Sequence, residues 1–289
     1  MKFVTYNYNG AEYVGVLTND ETSVIPASEF GLKAGSMLEL IKELDGSYPA
    51  IPTQAKLIAL SAVKLEAPIP EPRQDVICLG LNYRDHVEEA TRADAVFDIQ
   101  RGDAVYFSKR LQRAVAPGGE IDGHFDICDS LDYEVELGVI IGRDAKNVKA
   151  ADAGKYIFGY TIINDVSARN LQTRHKQWYF GKSLDDFTPM GPCILSADEV
   201  GAMPELDIRC YVNGEKRQDS NTRMMIFDIP YIIEELSAGM TLKAGTVIAT
   251  GTPSGVALGM PPEVQKYLES GDVVRCEIDG IGVLENTIA

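Results

Sequence analysis

Beyond Val76 the chain reads as short stretches in which apolar and polar residues alternate, separated by glycine-containing turns. They include "VICLGLN", "LDYEVELGVIIG", "IFGYTIIND", "DIRCYVNGEKR", "AGTVIATGTPSGV" and "DVVRCEIDGIGVLEN". Successive side chains on a strand point to opposite faces, so this texture predicts strands. The pairs Asn213-Gly214 and Asp279-Gly280 predict hairpin turns, because both residue types accept the positive φ that tight turns require. Helical spacing is sparse. "DIPYIIEELSAG" predicts one helix, with Asp228 as N-cap, Pro230 in the first turn and Gly239 at the C-terminal cap. A second is expected to open near Asp165 in "DVSARNLQTRHKQ". There is no strict β-α-β rhythm, internal repeat or low-complexity tract. The expected class is α+β and mostly β, with mixed or antiparallel sheets and peripheral helices.

The first part of the chain has a different texture. Residues 1–25 predict two strands around the turn Asn9-Gly10, and Ser36 is placed to cap the short amphipathic helix of "SMLELIKEL". Pro68, Pro70 and Pro72 then give an extended connector. The expected boundary lies there, with a small α+β domain over 1–67 and a larger domain over 68–289.

Composition adds mainly exclusions. A hydrophobic content of 45% and a charged content of 24% are ordinary for a globular chain of 289 residues. The formal charge of -16 argues against nucleic acid and anionic membrane surfaces as partners. An anionic substrate would need local positive charge to overcome that field. The five cysteines have no paired spacing, which suits a reducing cytoplasm rather than a disulfide framework or a zinc knuckle. The opening residues do not read as a signal peptide, and no apolar run is long enough for a membrane span.

The candidate chemistry starts in "SLDYEVELGVIIG". Alternation places Asp132, Glu134 and Glu136 on one face, which continues as Gly138, Ile140 and Gly142. Like charges so close repel unless something positive sits among them. Two acids at i, i+2 can hold a hard cation such as Mg²⁺, Mn²⁺ or Ca²⁺, and Asp165, at the end of an apolar strand, can supply a third ligand. A solvated edge strand accounts equally for the glutamates, and an N-cap for Asp165. Arg169 and Gln172 follow on the face of Asp165, and Lys182 can add a second positive charge; surface solvation is the alternative for all three. In "LGLNYRDHVEEA", His86 and Glu89 are neighbours on a helix face, as in a water-activating pair or an incidental surface pair. "TGTPSGV" lacks the lysine of a phosphate loop but can offer Thr252 and backbone N–H groups to an anion.

Taken in order, "GLNYRDHVEE", "LDYEVELGVIIG", "GYTIINDVSARNLQ", "GKSLDDFTPMGP" and "IATGTPSGV" resemble the fumarylacetoacetate hydrolase family, most closely its small acylpyruvate hydrolase and oxaloacetate decarboxylase-like members. The resemblance covers about residues 68–289. It implies a mixed β-roll or β-sandwich fold, a homodimer and a Mg²⁺ or Mn²⁺ site. By motif, Glu134, Glu136 and Asp165 correspond to metal ligands. His86 and Glu89 correspond to a water-activating dyad on a lid, and Lys182 to a lysine that stabilises developing negative charge. Arg169, Gln172 and Thr252 correspond to substrate-pocket residues. Asp132 has no ligand role in this match. Ser167 stands where many members have Thr. Ala104-Val105 precedes Tyr106-Phe107-Ser108-Lys109 where many relatives have a shorter link and a proline, so the segment 90–105 implies a lid of different length. The expected reaction is C–C cleavage of a 2,4-dioxo acid with release of pyruvate through an enolate. The alternatives are oxaloacetate decarboxylation or keto–enol tautomerisation, isomerisation of a hydroxyheptadienedioate, and a non-catalytic module that binds a 2-oxo acid.

Overall fold

The structure is a computed structural model that describes residues 1–92 and 102–289. Eleven strands form one large sheet. From one edge its order is Ile58–Ala59, Ser23–Pro26, Ala11–Leu17, Lys2–Tyr8, Met190–Ser196, Ile157–Asn164, Val135–Ile141, Val247–Ala249, Val76–Gly80 and Val105–Lys109, with Lys64–Leu65 pairing onto Lys2–Tyr8. Every pairing is antiparallel except Val247–Ala249 with Val76–Gly80. A second sheet of five strands runs Glu215–Asn221, Asp207–Val212, Val273–Ile278, Gly282–Ile288 and Glu120–Ile121. This mostly β architecture is the expected fold class.

The two faces of the large sheet bury different partners. Leu137, Val139, Ile141, Tyr160 and Ile162 share a core with Ile208, Cys210, Val274, Cys276 and Leu284 of the second sheet. On the opposite face, Phe3, Val16, Ile140, Phe158 and Ile194 pack against Met37, Leu40, Ile41 and Leu44. Those last four line the helix Met37–Leu44, which Ser36 caps by accepting from the Glu39 N–H at 3.3 Å. Both faces of Val135–Ile141 are therefore covered, and all seven of its residues are buried. At Gly138 a Cβ would come within 2.8 Å of Ile163 Cδ1, so a larger residue there would have to displace the side chain packed over it.

Local signals held at several turns. Asn9 and Gly10 take φ of 54° and 83°, and Asn213 and Gly214 take 50° and 80°, each joining two paired strands. Asp228 caps the helix Ile229–Gly239 through the Tyr231 N–H. Gly239 is the last helical residue, and Met240, in extended conformation, is the C-cap. The reading of Gly239 as the cap is thus one residue early, because the chain leaves this helix without a left-handed turn. The N-terminal strands do not form a separate sheet: Lys2 and Phe3 pair with Leu195 and Ile194. Thr5 Oγ1 donates to the Pro68 carbonyl at 2.7 Å, tying the proline connector to the first strand. All five cysteines are buried and free, and no helix among the described residues is long and apolar enough to cross a membrane.

Candidate functional site

Val135 pairs with Asn164, so Glu134 and Asp165 face each other where the ladder between their strands ends. The Asp165 N–H donates to the Glu134 carbonyl at 2.8 Å. Glu136 lies two residues along, on the same face as Glu134. One carboxylate oxygen from each of the three lies within 4.8 Å of the others. Exposures of 6%, 1% and 0% for Glu134, Glu136 and Asp165 rule out a solvated edge strand. The N-cap reading of Asp165 also falls. Ser167–Ala168 pairs with Leu131–Asp132, the next helix is Arg169–Arg174, and Ala168 occupies its N-cap position. The expected continuous strand is broken at Tyr133 and Glu134, which separates Asp132 from the acids that follow it.

Three buried cations answer the question raised by the acidic face. Lys182 Nζ donates to Glu134 Oε2 at 2.7 Å and to Asp165 Oδ2 at 2.8 Å. Arg169 reaches Glu134 Oε1 through Nη2 at 2.7 Å and Asp132 Oδ2 through Nε at 2.9 Å, while its Nη1 donates to Gln172 Oε1 at 3.0 Å. Lys109 Nζ lies 2.7 Å from Asp165 Oδ1 and donates to the Val166 carbonyl at 2.8 Å. Sequence reasoning gave Lys109 no role. The signal was present: Val105, Phe107 and Lys109 share one strand face, and a lysine ending an apolar face needs a buried partner.

These cations divide the carboxylates. Burial alone would raise the Glu134 pKa, but Lys182 and Arg169 overcome it and hold the group down at about 2. Glu136 goes the other way: burial, then the charges of Asp165 and Glu134, push it well above the usual carboxylate range. Lys182 and the Gly251 N–H, which donates to Glu136 Oε2 at 2.8 Å, offset this only in part. The cluster is short of positive charge at Glu136. Three converging carboxylates in that condition fit a hard divalent cation bound through oxygen. Glu134, Glu136 and Asp165 could hold one.

The second half of the site is the helix Arg84–Arg92. It is anchored where it begins. Fully buried Asn82 donates to the Phe227 and Thr250 carbonyls at 3.0 and 2.8 Å, and accepts from the Phe227 N–H at 2.8 Å. Asp85 accepts from the Ser220 and Ser254 hydroxyls at 2.9 and 3.3 Å. His86 Nδ1 lies 3.0 Å from Glu89 Oε2, and Glu89 Oε1 accepts from the Gly255 N–H at 2.9 Å. With Nδ1 on a carboxylate, the imidazole presents Nε2 as its basic nitrogen. A Cβ at residue 259 would lie 2.3 Å from Glu89 Cδ, so only glycine lets the carboxyl group settle there. The pair is thus formed with the helix docked. Most of the atypical segment 90–105, namely residues 93–101, lies outside the described residues.

All nine residues singled out from the sequence, apart from Glu89 and Asp165, line one cavity of about 40 Å³. Some are committed to the protein itself. The Thr252 hydroxyl donates to the Val135 carbonyl at 2.9 Å and accepts from Gln218 Nε2 at 2.8 Å. The Gly251 N–H, a candidate anion donor, instead holds Glu136. The remaining lining is largely apolar and includes Leu79, Phe107, Trp178, Val256 and Leu258. None of these stood out in the sequence, because an apolar residue in a cavity wall has the same pattern as one in the core.

Comparison with known proteins places this geometry in context. The family pattern described as Fumarylacetoacetate (FAA) hydrolase C-terminal matches residues 75–289. The oxaloacetate tautomerase YisK of Bacillus subtilis is 40% identical over an alignment covering 100% of both chains. Among solved structures, a fumarylacetoacetate hydrolase from Exiguobacterium antarcticum superposes with a TM-score of 0.85 at 38% identity, covering 100% of this chain and 99% of that one. The structure of a 2-hydroxyhepta-2,4-diene-1,7-dioate isomerase from Mycobacterium marinum gives 0.75 at 30% identity, covering 100% and 98%.

Proposed function

Because the chain belongs to the fumarylacetoacetate hydrolase family, whose members are enzymes, we propose that it is a Mg²⁺- or Mn²⁺-dependent enzyme acting on a small 2-oxo acid, and that its reaction is the keto–enol tautomerisation of oxaloacetate. The observation that carries this reading is one cavity lined both by acids that can hold a cation and by His86, which can move a proton. The full-length relative at 40% identity favours the tautomerase among the reactions open to such a cavity.

Glu134, Glu136 and Asp165 would hold the cation, which would supply Lewis acidity toward a bound 2-oxo acid. His86 Nε2, with Nδ1 held by Glu89, takes a proton from C3. The electron pair of the broken C–H bond moves into the C2–C3 bond, and the 2-oxo oxygen gains the negative charge. Lys182 and Arg169 face that charge from the polar end of the cavity. Protonation of the oxygen completes the enol, and the reverse sequence returns the ketone.

A second reading has its own support. The His86–Glu89 pair is the arrangement a general base needs to activate water. Attack of that water on C4 of an acylpyruvate, with cleavage of the C3–C4 bond, would release pyruvate and a carboxylic acid. Purified protein with Mg²⁺ separates the two when offered oxaloacetate, acetylpyruvate and fumarylpyruvate. The proposal expects accelerated loss of the enol absorbance of oxaloacetate without formation of pyruvate. Pyruvate released from an acylpyruvate at a higher kcat/KM would establish the hydrolase instead, and pyruvate plus CO₂ from oxaloacetate would establish the decarboxylase. Binding without turnover of any of the three would leave a metabolite-binding module.

A further inference from the structure

We propose that Trp178 is a specificity-determining residue whose indole limits the size of the substrate, so that the cavity takes a compact four-carbon 2-oxo acid and rejects acylpyruvates with bulky acyl groups. This rests on the reading of the cavity as a 2-oxo-acid site. The polar end is fixed by buried charges that cannot retreat: Glu134, Glu136, Arg169 and Lys182 are between 1% and 6% exposed. A 2-oxo acid that places its carboxylate and 2-oxo oxygen there must direct the rest of its chain at the apolar wall.

The wall is built around the indole. At residue 80 a Cβ would lie 2.3 Å from Trp178 Cζ3 and 2.6 Å from Cη2, so the ring rests on bare backbone that only glycine provides. Its second support is Phe107, met edge-on with centroids 5.2 Å apart and planes at 73°. Phe107 in turn lies 5.4 Å from Lys182 Nζ. The Trp178 carbonyl accepts from the Lys182 N–H at 3.1 Å, so the wall and the lysine belong to the same turn of chain. On its other side Trp178 follows the exposed residues 173–177, and the indole is half-buried at the rim. It is packed against Gly80 and Phe107 and is partly exposed.

The volume makes this a size filter. The cavity, of about 40 Å³, leaves little free space beside the indole, so chain carbons beyond the 2-oxo acid group must press on that wall. Each further carbon must push it further. An apolar pocket typically distinguishes one methylene by roughly 10- to 200-fold.

The test compares kcat/KM for oxaloacetate and benzoylpyruvate, both followed as enol loss with Mg²⁺, in the wild type, Trp178→Phe and Trp178→Ala. The benzoylpyruvate-to-oxaloacetate ratio is expected to rise at least tenfold in Trp178→Ala and by less in Trp178→Phe; an unchanged ratio in both overturns the proposal. A second measurement needs no variant. The chain contains one tryptophan, so its emission reports this wall alone. Titration of the wild type with 2-oxobutyrate and Mg²⁺ should shift the emission with the same midpoint as the calorimetric isotherm. Heat of binding without an emission change would mean that the acid does not meet the indole, and would overturn the wall. Absence of any binding heat would remove the 2-oxo-acid reading itself, and the wall with it.

Discussion

The two halves of the site are built differently. The acid cluster sits where central strands end, and every charged group in it is buried. Its carboxylates are held by cations from separate elements: Lys109 from an edge strand, Arg169 from one helix and Lys182 from another. The His86–Glu89 pair occupies a single turn of one helix, is partly exposed, and is fixed to the body of the protein by one N–H of Gly255. In the first half the residues that would bind a metal also hold the fold together. In the second, chemistry and stability are separable. A substitution at Asp165 or Glu134, the acids paired with those cations, should therefore damage both properties, and one in the His86–Glu89 pair only one of them.

The largest effect is expected at Asp165. It is the shared partner of Lys109 and Lys182, so Asp165→Ala leaves two buried ammonium groups short of a counter-charge. Breaking a buried pair from one side typically costs about 3–5 kcal/mol. Urea unfolding should show a loss of that order, and calorimetry should show no heat with Mg²⁺. A variant as stable as the wild type that still takes up Mg²⁺ would erase the contrast between the two halves.

His86→Ala comes next and tests the other side. Removing a general base costs roughly 10²–10⁴-fold in rate. Unfolding should move by less than about 1 kcal/mol, since the imidazole packs on a partly exposed helix face and leaves no buried charge unpaired. Intact turnover of oxaloacetate and of every acylpyruvate would remove His86 from the chemistry. A smaller effect is expected for Glu89→Gln. The amide keeps a single acceptor oxygen, so it can accept from His86 Nδ1 but no longer from the Gly255 N–H as well, and the charge-assisted bond is lost, a difference of roughly tenfold. A loss as large as that of His86→Ala would show that the carboxylate acts on substrate directly.

The same contrast explains what could be read from the sequence. Turn pairs and the Ser36 and Asp228 caps are local and gave their elements within a residue or so, whereas alternation found the strands but not the break at Tyr133 and Glu134. The acids on one face of a strand raised the right question, since unpaired buried charge is too costly to be incidental. Their cations could be named only in part, because Lys109 is 56 positions from Asp165 and joins it through the order of strands in the sheet. Arg169 does reach the acid cluster at Glu134, but its helix starts at Arg169 itself and not near Asp165 as expected. The local pattern did not show that Ser167 and Ala168 would pair with Leu131 and Asp132 before the helix begins. Asp132 shows the same limit. It accepts from the Tyr133, Ala257 and Leu258 N–H groups as well as from Arg169, and so fixes the turn beneath Glu89 without any pattern that announces it.

The smallest effect concerns pH, and it divides the acid cluster itself. In protein kept free of metal with a chelator, Glu134 has a folded pKa of about 2, below the 4.5 of an unperturbed glutamate. Its pairs with Lys182 and Arg169 therefore contribute stability in full above about pH 4.5, and that contribution is lost as the pH falls toward 2. Glu136 is displaced upward, so the folded chain keeps a proton that the unfolded chain gives up above pH 4.5, and stability falls as the pH rises through that range. Glu136→Gln replaces the protonated acid with a neutral group of the same shape. It should flatten this decline and leave the metal-free variant more stable than the wild type near pH 7, while abolishing the heat of Mg²⁺ binding. Glu134→Gln should do the reverse, destabilising the protein at pH 7 and converging on the wild type only near pH 2. Urea midpoints measured from pH 2 to 7 on the three proteins decide the matter: parallel profiles for the two variants would mean that the cations serve both glutamates alike.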